Sequence, residues 1–368
     1  MLSTLHYIEA FDHTELIYRW APVWEAIGDL KVCCHLGKLQ RKQLEAADAT
    51  SSIALLSPDD GESWARYVDR LELDPTKDIV VIGTLGRRPE WFKALATRQG
   101  LRYWIVLHNL NYCLGKPSVA RALSSWKAFR SHVRDLANTS AKQVLLDGAT
   151  GWLVPTKSMK ISADKLSHRD KTRVLPFACV STAKTNEPES AEYMVGVPGT
   201  VTEKVRDYGL VEAFVRKHRV SSGICILFLF GKVVDRKVVA SLQSIIAKRE
   251  DWEMIVCGEV ESMNKYGKML ESCNFLLAPV RRTSWYGSFR EIVGRTKMTG
   301  VYFDAVASGR RLYAPRWLAE DCPYAIPLDE LDINDGRSTS SAIPQTPPSQ
   351  EELADLWRSA LGFKETPC

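Results

Sequence analysis

The first 180 residues alternate between short apolar segments and segments whose apolar residues recur at helical spacing. Five segments have the pattern of buried or half-buried strands: STLHYIEAF, LKVCCHLG, SIALLSP, DIVVIGTLG and RYWIVLHNLNY. ELIYRWAPVWEAIG and PEWFKALATRQG have the helical period. KQVLLDG and TRVLPFA are predicted as later short strands. Strands separated by helices of this length predict βαβ units on a parallel sheet.

The second half repeats this pattern. YMVGVPG, GICILFLFGK, WEMIVCGEV and NFLLAPV are predicted strands, and VRDYGLVEAFVRKH, KVVASLQSIIAKRE, NKYGKMLESC and VYFDAVASG are predicted helices. A long basic loop is predicted over 278–297. The polar segment 181–192 is predicted as a linker, and 336–350 as a flexible connector before a terminal helix in EELADLWRSALGF.

These patterns predict an α/β protein with two Rossmann-like, doubly wound parallel-sheet domains that face a central cleft. Residues 1–182 would form the first domain, 190–335 the second, and 336–368 the connector and terminal helix. A chain of 368 residues exceeds the size at which single cores usually stop growing, which also favours two domains. Ligands of open parallel sheets bind outside the carboxyl ends of the strands, so candidate site residues should follow strands.

Composition narrows the possible functions. The net charge of +5 is modest, and the basic residues look dispersed, which argues against specific nucleic-acid binding. It leaves open peripheral contact with an anionic membrane. The longest apolar run, ICILFLF, is far shorter than the roughly 20 residues of a membrane span. With no secretory pattern and an odd number of cysteines, we expect a cytoplasmic protein.

Three clusters after predicted strands suit a phosphate ligand. In VPGTVTEKVRDYG, a Pro-Gly turn precedes Lys204 and Arg206 near the start of a helix. The loop 278–297 combines several arginines with aromatic residues and glycines. In the third cluster, Lys297 precedes a Thr-Gly pair that would cap a helix. A solvated turn, a charged surface loop and an ordinary helix cap are the respective alternatives.

Taken together, VPGTV…RDY, FLLAPV and TGVYFDAVASGRRLYAPRWL resemble the donor domain of GT-B glycosyltransferases, in particular bacterial family 4-type sugar transferases. The resemblance covers about 193–318. It implies that the second domain binds a nucleotide diphosphate-sugar and the first domain binds the acceptor. The implied donor-binding residues are Gly199, Thr200, Arg206, Tyr286, Gly287, Lys297, Thr299, Gly300 and Asp304.

One departure concerns the paired glutamates of many family 4 enzymes. Here Thr296 stands at the first glutamate position and Asp304 at the second. Retention of the anomeric configuration is therefore only weakly implied. No metal or other cofactor is expected, because the resemblance implies that the helix start and nearby cations neutralise the leaving diphosphate.

Candidate catalytic residues on the acceptor side follow predicted strands of the first domain. Asp12 and His13 come after the first strand, and His108 ends another. A histidine or carboxylate there would accept the proton of an attacking hydroxyl. A structural role is the alternative for each.

The sequence thus predicts a glycosyltransferase of the hexosyltransferase class. It would move a sugar from a nucleotide diphosphate-sugar to a glycan or lipid-linked acceptor in surface polysaccharide synthesis. A catalytically silent nucleotide-sugar-binding module is one alternative. A nicotinamide-dependent oxidoreductase is a weaker one, because the loop in VVIGTLGRR lacks the dinucleotide fingerprint.

Overall fold

The structure is a computed structural model that describes residues 3–11, 13–45, 52–86, 88–168, 170–180, 193–219, 223–258, 262–331 and 346–363. The chain divides into two compact units. Unit 1 comprises Met1–Phe177, Trp285–Glu291 and Gln350–Cys368, and unit 2 comprises Ala178–Ser284 and Ile292–Ser349. The predicted linker at 181–192 and most of the predicted connector lie outside the described residues.

Strands and helices alternate along the described part of residues 3–180. The strands are β1 (Ser3–Glu9), β2 (Leu30–Leu36), β3 (Ile53–Leu56), β4 (Asp78–Ile82), β5 (Arg102–Val106), β6 (Gly151–Val154) and β7 (Thr172–Val174). The helices are α1 (Thr14–Ala26), α2 (Lys38–Glu45), α3 (Trp64–Arg70), α4 (Lys93–Thr97), α5 (Leu110–Leu114), α6 (Val119–Ala122), α7 (Trp126–Ala137), α8 (Thr139–Gly148) and α9 (Lys157–Ser167).

The remaining described residues continue the alternation. The strands are β8 (Tyr193–Pro198), β9 (Cys225–Phe230), β10 (Trp252–Gly258), β11 (Phe275–Leu277), β12 (Thr283–Tyr286), β13 (Phe289–Ile292), β14 (Arg311–Ala314) and β15 (Ala325–Pro327). The helices are α10 (Tyr208–Lys217), α11 (Arg236–Ile246), α12 (Met263–Ser272), α13 (Gly300–Ser308), α14 (Arg316–Ala319) and α15 (Gln350–Leu361).

Unit 1 is built on a parallel sheet with the strand order β3-β2-β1-β4-β5-β6-β7. The order reverses between β1 and β4, which makes this gap the topological switch point of the sheet. Helix α15 completes the core beside α1. Trp357 makes edge-to-face contacts with Trp20 and Trp24, at ring-centroid distances of 5.0 and 5.6 Å. All three side chains are buried, so α15 is an integral part of unit 1.

Unit 2 has the same topology in its described residues. Its parallel sheet has the order β10-β9-β8-β11-β14-β15, with the switch point between β8 and β11. Strand β9, CILFLF, is buried along its whole length, as a continuous apolar run in a two-sided parallel sheet should be. The two sheets and their flanking helices confirm the predicted α/β class with two doubly wound units.

One predicted strand is wrong. KQVLLDG lies in α8, and the strand in this region is the next segment, β6. The buried residues of α8 are Lys142, Leu145 and Leu146, which have the spacing of one helical face rather than the alternation of a strand. The apolar run was too short to distinguish these periods without the preceding residues.

The predicted long loop over 278–297 contains a β-hairpin, β12–β13. The two strands are joined by Gly287 and Ser288, and Gly287 has a φ of 61°. A two-residue Gly-Ser connection between short strands is a hairpin signal that the sequence carried. Residues 285–291 belong to unit 1, where Ser288 N–H donates to Asp135 Oδ2 at 2.9 Å.

Candidate functional site

A buried carboxylate occupies the switch point of unit 1. Glu9 is the last residue of β1 and is completely buried. Thr84, which follows β4, donates its hydroxyl to Glu9 Oε2 at 2.8 Å, and Phe11 N–H donates to Oε1 at 2.9 Å. Both carboxylate oxygens therefore have hydrogen-bond donors from adjacent strand ends. Burial raises the pKa of Glu9 to about 7, although His13 and the two hydrogen bonds act in the opposite direction.

Gly83 allows this approach between β1 and β4. A Cβ atom at this position would overlap the Tyr7 side chain and Glu9 Oε2. The carbonyl oxygen of Gly83 also accepts a hydrogen bond from His108 Nε2 at 2.9 Å. The short turn after β4 thus positions both the carboxylate and an imidazole.

The structure brings two of the predicted catalytic residues together. The rings of His13 and His108 stack with their centroids 4.4 Å apart and an angle of 12° between their planes. His13 Nδ1 lies 2.8 Å from Glu15 Oε1. Because a carboxylate only accepts, this contact places the proton on Nδ1 and the basic lone pair on Nε2. Asp12, the third predicted catalytic residue, lies outside the described residues.

Two glycine turns follow β8 and β9 in unit 2. Gly199 has a φ of 90°, and its N–H donates to Phe230 O at 2.8 Å. A Cβ atom at Gly231 would overlap the backbone of Gly199, so the two turns are in direct backbone contact. The turns lie at the carboxyl edge of neighbouring strands, where ligands of such sheets bind.

Arg206 lies against the first of these turns. A Cβ atom at Gly199 would overlap Arg206 Nη2, and Arg206 forms an antiparallel bridge with Val280, just after β11. The bridge joins the chain segments that follow β8 and β11, so Arg206 lies at the switch point of unit 2. The residue is only 8% exposed, and its Nη1 has no hydrogen-bond partner among the residues that the structure describes. A buried guanidinium N–H without an acceptor is costly, and an anionic ligand would supply one.

The predicted phosphate-binding helix is α13. It precedes β14 in a parallel sheet, so its N-terminus points to the same carboxyl edge as the Gly199 turn. Thr299 is the N-cap residue by position, but its side chain makes no capping hydrogen bond, and Gly300 is exposed. Asp304 is buried, and Tyr266 of α12 donates to its Oδ2 at 2.9 Å.

Lys297 is half-buried in a tight turn before α13. Its carbonyl accepts from Gly294 N–H at 2.8 Å, and its N–H donates to Ile292 O at 3.2 Å. The Thr296 hydroxyl accepts from Ile292 N–H at 2.8 Å inside the same turn. Thr296, which stands at the first glutamate position of the family 4 pattern, is therefore engaged in a hydrogen bond within this turn.

The other predicted donor-binding residues are more dispersed. Thr200 is exposed beside Gly199. Tyr286 and Gly287 belong to unit 1, where Tyr286 makes an edge-to-face contact with Tyr112 at 5.0 Å. Of the arginines in 278–297, Arg281 donates to the carbonyl of Arg206 at 3.0 Å, and Arg295 pairs with Asp321 at 2.8 Å. At least two cations of this segment therefore have structural partners.

Sequence reasoning missed Glu9, Thr84 and Gly231. Each stands at or directly after the carboxyl end of a strand, and that position was the available signal. Glu9 was overlooked because an acid at the end of an apolar segment marks an ordinary strand boundary as well. Tyr266 had no sequence signal, because its contact with Asp304 depends on how α12 packs against α13.

Among the described residues, no group of three or more His, Cys, Asp or Glu is arranged to hold a metal ion. In the same part of the chain, no helix has the length and apolar character needed to cross a bilayer.

No protein-family model matches the chain. No curated protein matches it by sequence either. Solved structures do match over 98% of the chain. HepE of Anabaena, in complex with UDP and glucose, matches with a TM-score of 0.51, 12% identity and 90% of its own length. AviGT4, a glycosyltransferase involved in avilamycin A biosynthesis, matches with a TM-score of 0.52, 12% identity and 93% of its length.

A third similar structure is the UDP-GlcNAc 2-epimerase from Neisseria meningitidis bound to UDP-GlcNAc. It has a TM-score of 0.55 and 10% identity, and the match covers 98% of this chain and all of the epimerase. At these identities the similarity establishes the fold. The chain has the GT-B fold, which glycosyltransferases share with related UDP-sugar enzymes.

Proposed function

We propose that this protein is a glycosyltransferase that moves a sugar from a nucleotide diphosphate-sugar to a glycan or lipid-linked acceptor in surface polysaccharide synthesis. The observation that carries the proposal is the buried guanidinium of Arg206 beside the glycine turn at the switch point of unit 2, whose Nη1 lacks an acceptor in the described part of the chain. HepE was solved with UDP and glucose on the same fold, which supports a nucleotide sugar as the ligand.

In the proposed donor site, Arg206 binds the diphosphate. The backbone amides of the first turn of α13 supply further donors. Lys297 adds positive charge before this helix. Negative charge grows on the diphosphate as the sugar bond breaks, so these groups bind the transition state more tightly than the ground state. No step in this scheme requires a metal ion, and we expect transfer to persist in excess EDTA.

In the proposed acceptor site, His13 is the general base. Its Nδ1–H donates to Glu15, and its Nε2 would accept the proton of the attacking hydroxyl. His108 fixes the His13 ring by stacking and is itself oriented by the Gly83 carbonyl. Glu9, with a pKa of about 7, lies close enough to influence the charge on His13.

The test combines ligand binding with product analysis. UDP or GDP should raise the melting temperature of the protein, because a ligand at about 100 times its dissociation constant adds roughly 2.7 kcal/mol to the stability of the native state. NAD should produce no shift. Incubation with a panel of nucleotide sugars and mass spectrometry should then detect donor cleavage. Absence of a shift with every nucleoside diphosphate would contradict the proposed donor site.

A second candidate function is epimerisation of a nucleotide sugar. The match to UDP-GlcNAc 2-epimerase over its full length favours this candidate. The product analysis separates the two activities. An epimerase returns an isomeric sugar without an added acceptor, whereas a transferase needs the acceptor for efficient turnover. A silent binding module would show the melting shift and neither product.

A further inference from the structure

Helices α6 and α7 of unit 1 carry an exposed apolar stripe. Six large apolar side chains on α6, α7 and the turn between them are more than 40% exposed, and we call them the docking face: Val119, Leu123, Trp126, Phe129, Val133 and Leu136. Leu123 and Trp126 are 81% and 71% exposed. Contiguous exposed apolar side chains are uncommon on soluble proteins and mark interaction surfaces.

Helix α7 separates three kinds of residue around its axis. At about 100° per residue, the apolar residues of the docking face span roughly 80°, and the buried residues Ala128, His132 and Asp135 occupy a different sector. Lys127, Arg130 and Arg134 fill the third sector. The apolar stripe therefore points away from the protein core, with cations along one side of it.

The charge of this region has one sign. Residues 91–134 contain eight lysines and arginines and no aspartate or glutamate: Lys93, Arg98, Arg102, Lys116, Arg121, Lys127, Arg130 and Arg134. The acid that follows, Asp135, is buried and accepts the N–H of Ser288. Every exposed charge on α7 is therefore positive. The apparent dispersal of basic residues along the whole sequence concealed this acid-free segment.

The docking face is held in place by the tip of the β12–β13 hairpin, Gly287 and Ser288. Ser118 N–H, before α6, donates to Ser288 O at 2.9 Å. Asp135, near the end of α7, accepts from Ser288 N–H, so one residue of the tip binds both ends of the surface. Arg121 also lies over the ring of Trp285 at 5.1 Å. Fixed geometry lowers the entropy lost when the face meets a partner.

We propose that the docking face binds the surface of an anionic lipid bilayer, with Trp126 and Phe129 at the level of the acyl chains and the cations of α7 at the phosphate groups. An apolar stripe bordered by lysine and arginine is the pattern of helices that lie in a membrane interface. The uniform positive charge favours anionic lipid over a neutral protein surface. The inference deepens the proposed function, because a lipid-linked acceptor would lie at such a surface.

The test uses the full chain without any sugar donor. Vesicles of phosphatidylcholine mixed with phosphatidylglycerol should bind the protein in a flotation assay, and pure phosphatidylcholine should bind it weakly. The double variant Trp126→Ser/Phe129→Ser should lose at least about tenfold in vesicle affinity. The triple variant Lys127→Ser/Arg130→Ser/Arg134→Ser should lose at least as much, because each cation near an anionic surface contributes about fivefold. Higher salt should weaken binding of the wild type.

Matched controls lie elsewhere on the surface. Leu39→Ser removes a side chain that is 67% exposed on α2, and Lys237→Ser/Lys248→Ser/Lys268→Ser removes three exposed cations of unit 2. Both should bind vesicles like the wild type. Equal vesicle binding by the docking-face variants would overturn the proposal. The proposal would also be overturned if the wild type does not bind vesicles but self-associates, as measured by light scattering, and the Trp126→Ser/Phe129→Ser variant does not self-associate.

Donor binding is measured on the same variants. The vesicle-binding assay contains no nucleotide, so its result does not depend on whether the protein transfers a sugar. Conversely, a UDP-induced melting shift that survives in the docking-face variants shows that they are folded. The vesicle assay therefore tests the docking face, and the melting shift tests the donor site, independently of each other.

Discussion

The two units place opposite kinds of polar group at equivalent positions of the same topology. At the switch point of unit 1, Glu9 is buried with both oxygens hydrogen-bonded within the unit. At the switch point of unit 2, Arg206 is buried beside a glycine turn, and its Nη1 has no acceptor among the described residues. Within the described residues, both carboxylate oxygens of Glu9 have donors, whereas Arg206 Nη1 has no acceptor, and the proposed diphosphate would supply one.

This difference shows that topology fixes the location of a site and side chains fix its chemistry. Parallel strands that diverge at a switch point leave room above their carboxyl ends in both units. A carboxylate near neutral pKa beside a histidine suits proton transfer. A guanidinium against a glycine turn suits a diphosphate. Four substitutions test the contrast, beginning with the largest expected effect.

Replacement of the proposed base should affect turnover most. In His13→Ala, kcat for sugar transfer should fall by about 10²–10⁴-fold, the usual contribution of a general base. The dissociation constant for UDP should stay unchanged, because the proposed donor site lies in the other unit. Enzyme assays at saturating donor and calorimetric titration measure the two quantities.

His168→Asn is the control for this experiment. His168 is an exposed histidine at the end of α9 with a φ of 54°, a conformation that asparagine tolerates. It should retain full activity. If His13→Ala also loses its melting transition, the role of His13 is structural.

Replacement of Arg206 should affect the donor. Arg206→Ala should lower kcat/KM for the nucleotide sugar by about 10²–10³-fold, the loss typical of one donor to a developing anion. Arg206→Lys should recover only part of this activity, because an ammonium lacks the planar fork. Stability without ligand should hardly fall, since the variant removes a buried N–H that has no acceptor.

Arg249→Ala is the matched control for Arg206. Arg249 donates to the carbonyls of Val215 and His218 and pairs with Asp251 at 2.6 Å, so it satisfies structural acceptors of unit 2. Its loss should reduce the melting temperature and leave the UDP dissociation constant unchanged. The reverse pattern in the two variants would contradict the ligand role of Arg206.

Glu9 should make stability depend on pH. Its folded-state pKa of about 7 lies above the ordinary value of 4.5, so its stabilising contribution is fully present below pH 4.5 and is lost as the pH rises through 7. Between pH 5 and pH 8 the wild type should lose about 2–3 kcal/mol relative to Glu9→Gln. Urea unfolding midpoints at the two pH values measure this difference.

Glu72→Gln serves as the control, because Glu72 is exposed. It should follow the wild type at both pH values. If stability depends on pH in the same way for the wild type and Glu9→Gln, Glu9 is ionised in the folded protein over this range. Glu9 and Arg206 would then differ only in the sign of their charge.

The smallest effect is expected at Thr299. Its side chain makes no capping hydrogen bond, so Thr299→Ala should change the free energy of unfolding by no more than about 0.5 kcal/mol. Ser262, which caps α12 by accepting from Lys265 N–H at 3.3 Å, is the matched control, and Ser262→Ala should lose about 1 kcal/mol. A comparable loss in both variants would show that Thr299 is an ordinary cap in solution.

The alternation of strands and helices was predictable because apolar periodicity is a local property. β1, β4, β8 and β9 were all visible in this way, and the doubly wound class followed from their order. The sequence also indicated the turn at Gly199 with Arg206 after it. It did not indicate that Arg206 would be buried, because burial depends on the contact of this turn with β9 and the chain after β11.

The remaining features depend on contacts between distant residues. Glu9 and Thr84 are 75 positions apart, and only the pairing of β1 with β4 makes them neighbours. Helix α8 was mistaken for a strand because the apolar run 144–146 is too short to distinguish the two periods. The exposed stripe of α7 could not be distinguished from a core-facing stripe, since periodicity shows that a face exists and not what covers it.

The packing of Trp357 between Trp20 and Trp24 has a consequence for how the protein is made. Helix α1, which carries Trp20 and Trp24, leaves the ribosome early, but α15, which carries Trp357, is translated only after the whole of unit 2. At about 5–20 residues per second, the nascent unit 1 waits roughly 10–40 s with tryptophans of α1 uncovered. Unit 2, whose sheet is complete by β15, has all the strands of that sheet before α15 is translated. We therefore expect the second unit synthesised to be the first to finish folding, with the first unit dependent on chaperones until α15 arrives.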